Sequence, residues 1–243
     1  MKKITSVNNE YIKFLSKLKD KKTRNQEQKF IVEGFHLVEE AYKANVLLEV
    51  LTLDENINYK NIETTLVNKS IIEKLSTTKN PQEIIGICKI NPIKEIKGNK
   101  FLLLDNINDP GNMGTLIRSS LGFGIDTIVI SNDSVDVFNE KVIRASQGAI
   151  FNVNIVYADL LTIIENLKAQ SVKVIGTSLE SSVDLKEVGK LEKYAIILGN
   201  EANGVKKEIL NETDTNVRIK MDSKLESLNV AVAGSIIMYY LCE

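Results

Sequence analysis

The chain has 243 residues, 43% of them hydrophobic and 26% charged, with a formal net charge of −1. That balance suits a globular protein of one large or two small domains and excludes a disordered chain, because enough apolar surface is available to offset chain entropy. Three prolines and 13 glycines exclude collagen-like or low-complexity material. In chain order, the pattern predicts a helix over 10–19, a short strand over 30–32, a helix over 35–44, a strand over 48–53, a helix near 70–75 and a strand over 84–88. Residues 91–100 are polar, charged and punctuated by Pro92 and Gly98, which marks a linker. Domain boundaries follow at 1–92, a linker at 93–99, and a second domain over 100–243. In that second domain strands are expected over 101–105, 127–130, 153–156, 172–177, 194–198 and 216–219. Helices are expected over 113–121, 140–145, 160–168, 205–210 and 228–241. Near-continuous apolar strands alternating with helices indicate an α/β fold with a parallel sheet covered on both faces.

The longest apolar stretch, residues 228–242, is interrupted by Asn229, Gly234 and Ser235. A membrane-spanning helix needs roughly 20 apolar residues, so a buried helix is expected instead. The first residues include Lys2 and Lys3 without an apolar run, so no secretory signal is visible and the protein reads as cytoplasmic. Cys88 and Cys242 lie far apart, and His36 is the one histidine. Counting therefore excludes a Cys/His zinc cluster or a two-His metal site, and His36 reads as a structural or surface residue of a helix. Residues 1–30 hold nine Lys/Arg against three Asp/Glu, whereas the remainder holds 22 against 29. A basic arm on a mildly acidic body suits a polyanion, although a solvated helix face carries the same pattern.

Three loops at the ends of predicted strands could carry chemistry, the position where open α/β sheets place ligand sites. The first runs Asp105-Asn-Ile-Asn-Asp109-Pro110-Gly111-Asn112-Met-Gly-Thr-Leu-Ile-Arg118. Asn112 is placed to cap the following helix, and Arg118 stands in an apolar context. Neither a Walker loop nor a Gly-x-Gly-x-x-Gly fingerprint is present, so phosphate binding of that kind is not indicated. The second loop is Leu198-Gly199-Asn200-Glu201-Ala-Asn-Gly204, readable as a plain turn. The third is Glu226-Ser227-Leu228-Asn229-Val230, with Ser227 as the expected cap of the last helix. Asn229 is a poor helix former among Val and Ala, and a buried amide there needs partners.

In this order the three motifs resemble the SpoU (TrmH-like) class of RNA ribose 2′-O-methyltransferases, within the SPOUT superfamily. The segment Ser134-Val-Asp-Val-Phe-Asn-Glu-Lys-Val-Ile-Arg144-Ala-Ser-Gln-Gly148-Ala also looks like that family. Phe30-Ile-Val-Glu33-Gly34-Phe-His36-Leu-Val-Glu-Glu-Ala41 resembles its small α/β substrate-binding domain, related to ribosomal proteins. The resemblance implies a catalytic domain with a deep trefoil knot, S-adenosylmethionine as cofactor and a homodimer. Carried over residue by residue, it puts Asn112, Arg118, Glu201, Ser227 and Asn229 on functional positions, and Thr177, Gly199, Ile219 and Leu228 at the cofactor. In that reading Arg118 clamps the ribose 2′-oxygen, Glu201 and Asn112 orient Arg118, and Ser227 and Asn229 shape the site. The sequence departs from the family at Ile219-Lys220-Met221, where Ile-Pro-Met is frequent, and at Ser223 and Ala202, where glycine is frequent. Ribosomal RNA is the expected substrate, because the added N-terminal domain is common among members acting on it. The alternatives are a tRNA 2′-O-methyltransferase or a non-catalytic RNA-binding or ribosome-associated protein that retains the knot. A dehydrogenase would need the missing glycine fingerprint. No metal or membrane is expected as a partner.

Overall fold

A computed structural model of the protein describes residues 2–91 and 95–242. The chain forms two compact units: residues 1–92 with 136–152, and residues 93–135 with 153–243.

The first unit is built on strands β1 (Lys2–Ile4), β2 (Lys29–Glu33), β3 (Leu47–Thr52), β4 (Glu63–Val67) and β5 (Ile84–Lys89), with helices α1 (Glu10–Lys17), α2 (Lys21–Glu27), α3 (Phe35–Lys43) and α4 (Lys69–Leu75). The sheet order is β1-β4-β3-β5-β2, parallel at β1–β4 and β4–β3 and antiparallel where β5 pairs with β3 and β2. Asn9 starts α1 by accepting from the Tyr11 amide at 2.9 Å. Ile12 and Leu15 of α1 then bury against Ile71, Ile72 and Leu75 of α4 and against Leu51, Ile85 and Ile87 of the sheet.

The second unit opens with β6 (Lys100–Leu104), α5 (Pro110–Gly122) and β7 (Thr127–Ile130). Next comes the segment 136–152, with helix α6 (Glu140–Ser146), which is packed into the first compact unit. It is held there by Asp136, whose Oδ2 accepts from Arg24 Nη2 at 2.5 Å, and by Phe138 and Phe151, whose rings lie 4.8 and 6.3 Å from that of Phe30. The second unit resumes with β8 (Asn154–Tyr157), α7 (Leu160–Ala169), β9 (Lys173–Thr177), β10 (Val183–Asp184), β11 (Tyr194–Leu198), α8 (Lys207–Asn211), β12 (Thr215–Arg218) and α9 (Val230–Cys242). All seven strands are parallel, in the order β10-β12-β9-β11-β6-β7-β8.

Of the expected linker, residues 93 and 94 lie outside the described residues. Ile96 packs on the second unit's core, and the Thr127 hydroxyl donates to the Lys97 carbonyl at 2.7 Å. The Asp126 carboxylate accepts from the Asn99 and Lys100 amides.

That core lies under Phe101, Leu103, Ala195 and Ile197, covered by Leu160, Ile164 and Leu167 of α7 and Ile209 of α8. The helix α9 meets α5 through Ser235 and Ser119, whose hydroxyls are 2.7 Å apart. Gly234 lets α9 approach closely, because a Cβ there would stand 2.4 Å from Leu198 Cδ1 and 2.7 Å from Leu116 Cδ2. Helix α9 is apolar nearly all round, the composition of a helix covered on more than one side.

Candidate active site

The sheet order places β12, β9, β11 and β6 side by side, so the loops leaving their C-terminal ends are neighbours. These loops carry the sequence motifs. Asp109, not Asn112, caps α5: its Oδ1 accepts from the Asn112 amide at 2.7 Å, and Pro110 occupies the first helical turn. Proline is tolerated there because that N–H has no helical acceptor. The start of the helix three residues earlier than expected leaves the Asn112 side chain available for other partners.

Asn112 Nδ2 donates to Glu201 Oε1 at 3.0 Å, and Asn112 Oδ1 accepts from Asn229 Nδ2 at 2.9 Å. The Asp109 amide also points at Glu201 Oε1, at 3.4 Å. The polarity of this chain is determined at one end. An ionised carboxylate only accepts, so Asn112 must offer it nitrogen and therefore turns oxygen toward Asn229. Asn229 must in turn offer nitrogen, which leaves its Oδ1 facing the amides of Ala231 at 2.9 Å and Val232 at 3.3 Å. Asn229 is thus the cap of α9, and its carbonyl accepts from the Ala233 amide at 2.9 Å. Ser227, the cap expected from sequence, is exposed and precedes the helix by two further residues because α9 starts at Val230.

Arg118 stands six residues beyond Asn112, about 9 Å along the axis of α5, and is exposed. The structure brings Asn112, Glu201 and Asn229 together; among the described residues no hydrogen bond or ion pair ties Arg118 to them. The expected orientation of Arg118 by Glu201 and Asn112 is therefore not a direct contact, since Glu201 Oε1 is engaged by Asn112 and the Asp109 amide.

Of the residues assigned to the cofactor, Thr177 ends β9 and its hydroxyl donates to the Ile197 carbonyl at 2.8 Å. Gly199 follows β11, Ile219 follows β12, and Leu228 precedes the Asn229 cap. Ile219 and Leu228 are half-buried. On the same set of loops Leu179 and Leu225 are 59% and 50% exposed. Apolar walls on loops rich in backbone polar groups fit a group with a flat heteroaromatic ring and a polar tail, so this donor set is compatible with S-adenosylmethionine. Among the described residues no group of three or more His, Cys, Asp or Glu side chains is arranged to hold a metal ion.

Sequence reasoning missed the residues that fasten these loops together. Asp105 is 1% exposed; its Oδ2 accepts from the Lys206 amide at 2.9 Å and its Oδ1 lies 3.3 Å from Lys206 Nζ. Lys206 Nζ also donates to Asp133 Oδ2 at 3.0 Å. The hydrogen bond to Asp133 holds the Lys206 ammonium above its ordinary pKa, and the Ser131 hydroxyl, followed by Lys206, holds Asp133 below the usual carboxylate range. Asn106, at φ 55°, has its carbonyl bound by Asn200 Nδ2 at 2.9 Å and its amide bound by Ser131 Oγ at 2.8 Å. An aspartate closing an apolar strand was the available signal.

Residues 99–239 match the SpoU rRNA methylase family, and residues 9–86 match the MRM3-like substrate binding domain. The chain is 37% identical, over 99% of both sequences, to the 23S rRNA (guanosine(2553)-2′-O)-methyltransferase RlmP of Bacillus subtilis (strain 168). Its fold is similar to that of an AdoMet-bound rRNA methyltransferase from Sinorhizobium meliloti, with a TM-score of 0.89, 28% identity and coverage of 99% of this chain and 97% of that one. A solved RNA 2′-O ribose methyltransferase superposes with a TM-score of 0.85 at 26% identity, covering 98% and 97% of the two chains.

Proposed function

The chain belongs to the SpoU rRNA methylase family, and from that membership we propose that it methylates a ribose in ribosomal RNA, with Arg118 at the 2′-oxygen and the Glu201–Asn112–Asn229 relay behind it. The protein is an S-adenosylmethionine-dependent RNA 2′-O-methyltransferase. The rRNA assignment follows the relative from Bacillus subtilis, whose substrate is 23S rRNA.

The observation that carries the residue roles is the hydrogen-bonded chain from Glu201 through Asn112 to Asn229. It locks the first turn of α5 to the Glu201 loop and to the start of α9, so the helix bearing Arg118 has a defined position. S-adenosylmethionine, when bound, supplies a methyl group activated by its sulfonium. Thr177, Gly199, Ile219 and Leu228 would hold it, through backbone groups and apolar walls. A ribose hydroxyl is a weak nucleophile until its proton is lost or strongly hydrogen-bonded. Guanidinium keeps its proton at any working pH, so Arg118 is a clamp and not a base. Its fork of donors stabilises negative charge developing on the 2′-oxygen, while an RNA phosphate takes the proton. Ser227, exposed beside the relay, lines the approach. The threading of α9 through the family's trefoil knot is part of this reading.

We also assign a homodimer. Val232, Ile236 and Tyr239 recur at helical spacing on α9 and are 48%, 39% and 55% exposed, beside Leu121 of α5 at 44%. An apolar stripe of this kind marks an interaction surface, and a second copy fits a helix that carries no charge. Ile236→Glu is expected to shift the protein from dimer to monomer in sedimentation at micromolar concentration, with the fold retained because the side chain is exposed. An unchanged sedimentation coefficient in the variant would remove this face from the interface. Among the described residues no helix is long and apolar enough to cross a membrane, and we assign the protein to the cytoplasm.

The test of the substrate assignment is transfer of labelled methyl from S-adenosylmethionine to unmodified 23S rRNA and tRNA transcripts. Label is expected in the rRNA; label confined to tRNA would overturn the assignment.

A further inference from the structure

The first unit contains a cavity of about 40 Å³ that methyl transfer does not use, bordered by Lys19, Arg24, Thr77, Glu140 and Arg144 beside apolar Phe138. The segment around Arg144 was singled out from sequence, yet it contributes nothing to the relay described above. The charges at this cavity differ in how they are neutralised. Arg24 is 4% exposed and structural: Nη1 donates to the Leu18 and Lys19 carbonyls and Nη2 to Asp136. Glu33, also at the cavity, accepts from the Ser76 and Thr78 hydroxyls at 2.7 Å each and from the Gln82 amide at 3.0 Å. Those three donors satisfy its charge and order the turn that presents Thr77. Lys19 Nζ donates only to neutral carbonyls, of Lys74 and Ser76, both at 2.9 Å. Arg144 Nη1 donates to Thr77 Oγ1 at 3.1 Å. Among the described residues neither cation has a carboxylate within 4 Å, although Glu140 stands one turn before Arg144 on α6. Two cations without counter-ions therefore flank a small cavity, next to a hydroxyl, in the unit that also carries the basic N-terminal segment.

We propose that this cavity binds one phosphate of the RNA backbone, gripped by the Arg144 guanidinium, the Lys19 ammonium and the Thr77 hydroxyl. The inference rests on the RNA methyltransferase reading and adds where the first unit holds its substrate. Chemistry selects the ligand, because a guanidinium fork matches two phosphate oxygens and a lysine adds a point charge. Glu140 opposes the bound anion and sets the affinity below its maximum.

The test is equilibrium binding of a 23S rRNA transcript to the full chain across a salt series, alongside methyl transfer by the same preparations. Arg144→Gln is expected to bind about tenfold more weakly at about 0.1 M salt and to flatten the plot of log K against log salt by about 0.7 to 0.9, the loss of one phosphate contact. Arg144→Lys keeps the charge and is expected to keep the slope. Glu140→Gln is expected to bind more tightly, by about two- to threefold, which loss of fold could not produce. Unchanged melting temperature and S-adenosylmethionine binding identify the variants as folded. Wild-type affinity and slope in both Arg144→Gln and Glu140→Gln would overturn the phosphate site while leaving the enzyme reading in place. A wild-type protein that neither binds nor methylates the transcript would overturn both.

Discussion

Arg118→Ala is expected to lower kcat by about a hundredfold or more, the loss that follows removal of one preorganised donor to developing negative charge. Its S-adenosylmethionine affinity and melting temperature should match the wild type. The structural reason is the isolation of the side chain. Arg118 is exposed on a helix whose neighbouring Leu116 and Ile117 are fully buried, so the fold does not depend on it, and exposed substitutions of this kind change stability by no more than about 0.5 kcal/mol. A side chain that contributes little to stability but much to rate acts on the substrate. Arg118→Lys should recover only a small part of the rate, because an ammonium cannot reproduce the planar fork. Undiminished kcat in Arg118→Ala would remove the residue from the chemistry.

The second large effect concerns the loop that carries Glu201. A methyl group on Gly199 would stand 2.1 Å from both Gly204 C and Val205 N and 2.3 Å from Gly204 O. All three are backbone atoms, so no rotamer change relieves the clash. The loop cannot open cheaply, because the Gly204 amide donates to the Asn200 carbonyl at 2.8 Å and the Lys206 amide is anchored on Asp105. Gly199→Ala is therefore expected to cost about 3 kcal/mol in denaturant unfolding, the upper end for an overpacked site, and to weaken S-adenosylmethionine binding. Gly204→Ala makes the control. A Cβ there meets nothing within 4 Å, but φ is +69°, so the cost should be about 1 to 2 kcal/mol from backbone strain alone. Equal stability of Gly199→Ala and wild type would show that the loop has another packing available.

The parallel sheet was legible because its strands are fully buried apolar runs: Phe101–Leu104 and Tyr194–Leu198 could hardly read otherwise. Polar elements were not legible. β1 is Lys-Lys-Ile at a sheet edge, α2 is polar with Arg24 as its buried residue, β4 alternates around Thr64 and Thr65, and β10 is two residues long. The strands are defined by pairing with distant residues and α2 by local caps and the distant Arg24–Asp136 pair, which leaves no local hydrophobic period to detect. The same limit applies to segment 136–152. Its helix reads like any crossover helix, and its attachment to Arg24 and Phe30 spans more than a hundred residues.

The motifs fall on loops that the structure brings together, but the caps expected from sequence were misplaced. Asp109 and Asn112 are both good cap residues, as are Ser227 and Asn229. The choice within each pair is made by the relay, since Asn112 must remain available to join Glu201 to Asn229. Asp105 and Lys206 escaped notice because an aspartate closing an apolar strand does not by itself name its partner, whereas their contact is plain in three dimensions.

Transfer to a ribose oxygen is decided by where labelled methyl resides in the product RNA. After reaction with unmodified 23S rRNA and complete alkaline hydrolysis, the label is predicted in an alkali-resistant dinucleotide, because a methylated 2′-oxygen cannot attack the adjacent phosphate. Arg118→Ala should yield at most about one-hundredth of that signal at equal time. Label recovered in alkali-labile mononucleotides, with the methyl on the base, would contradict ribose methylation.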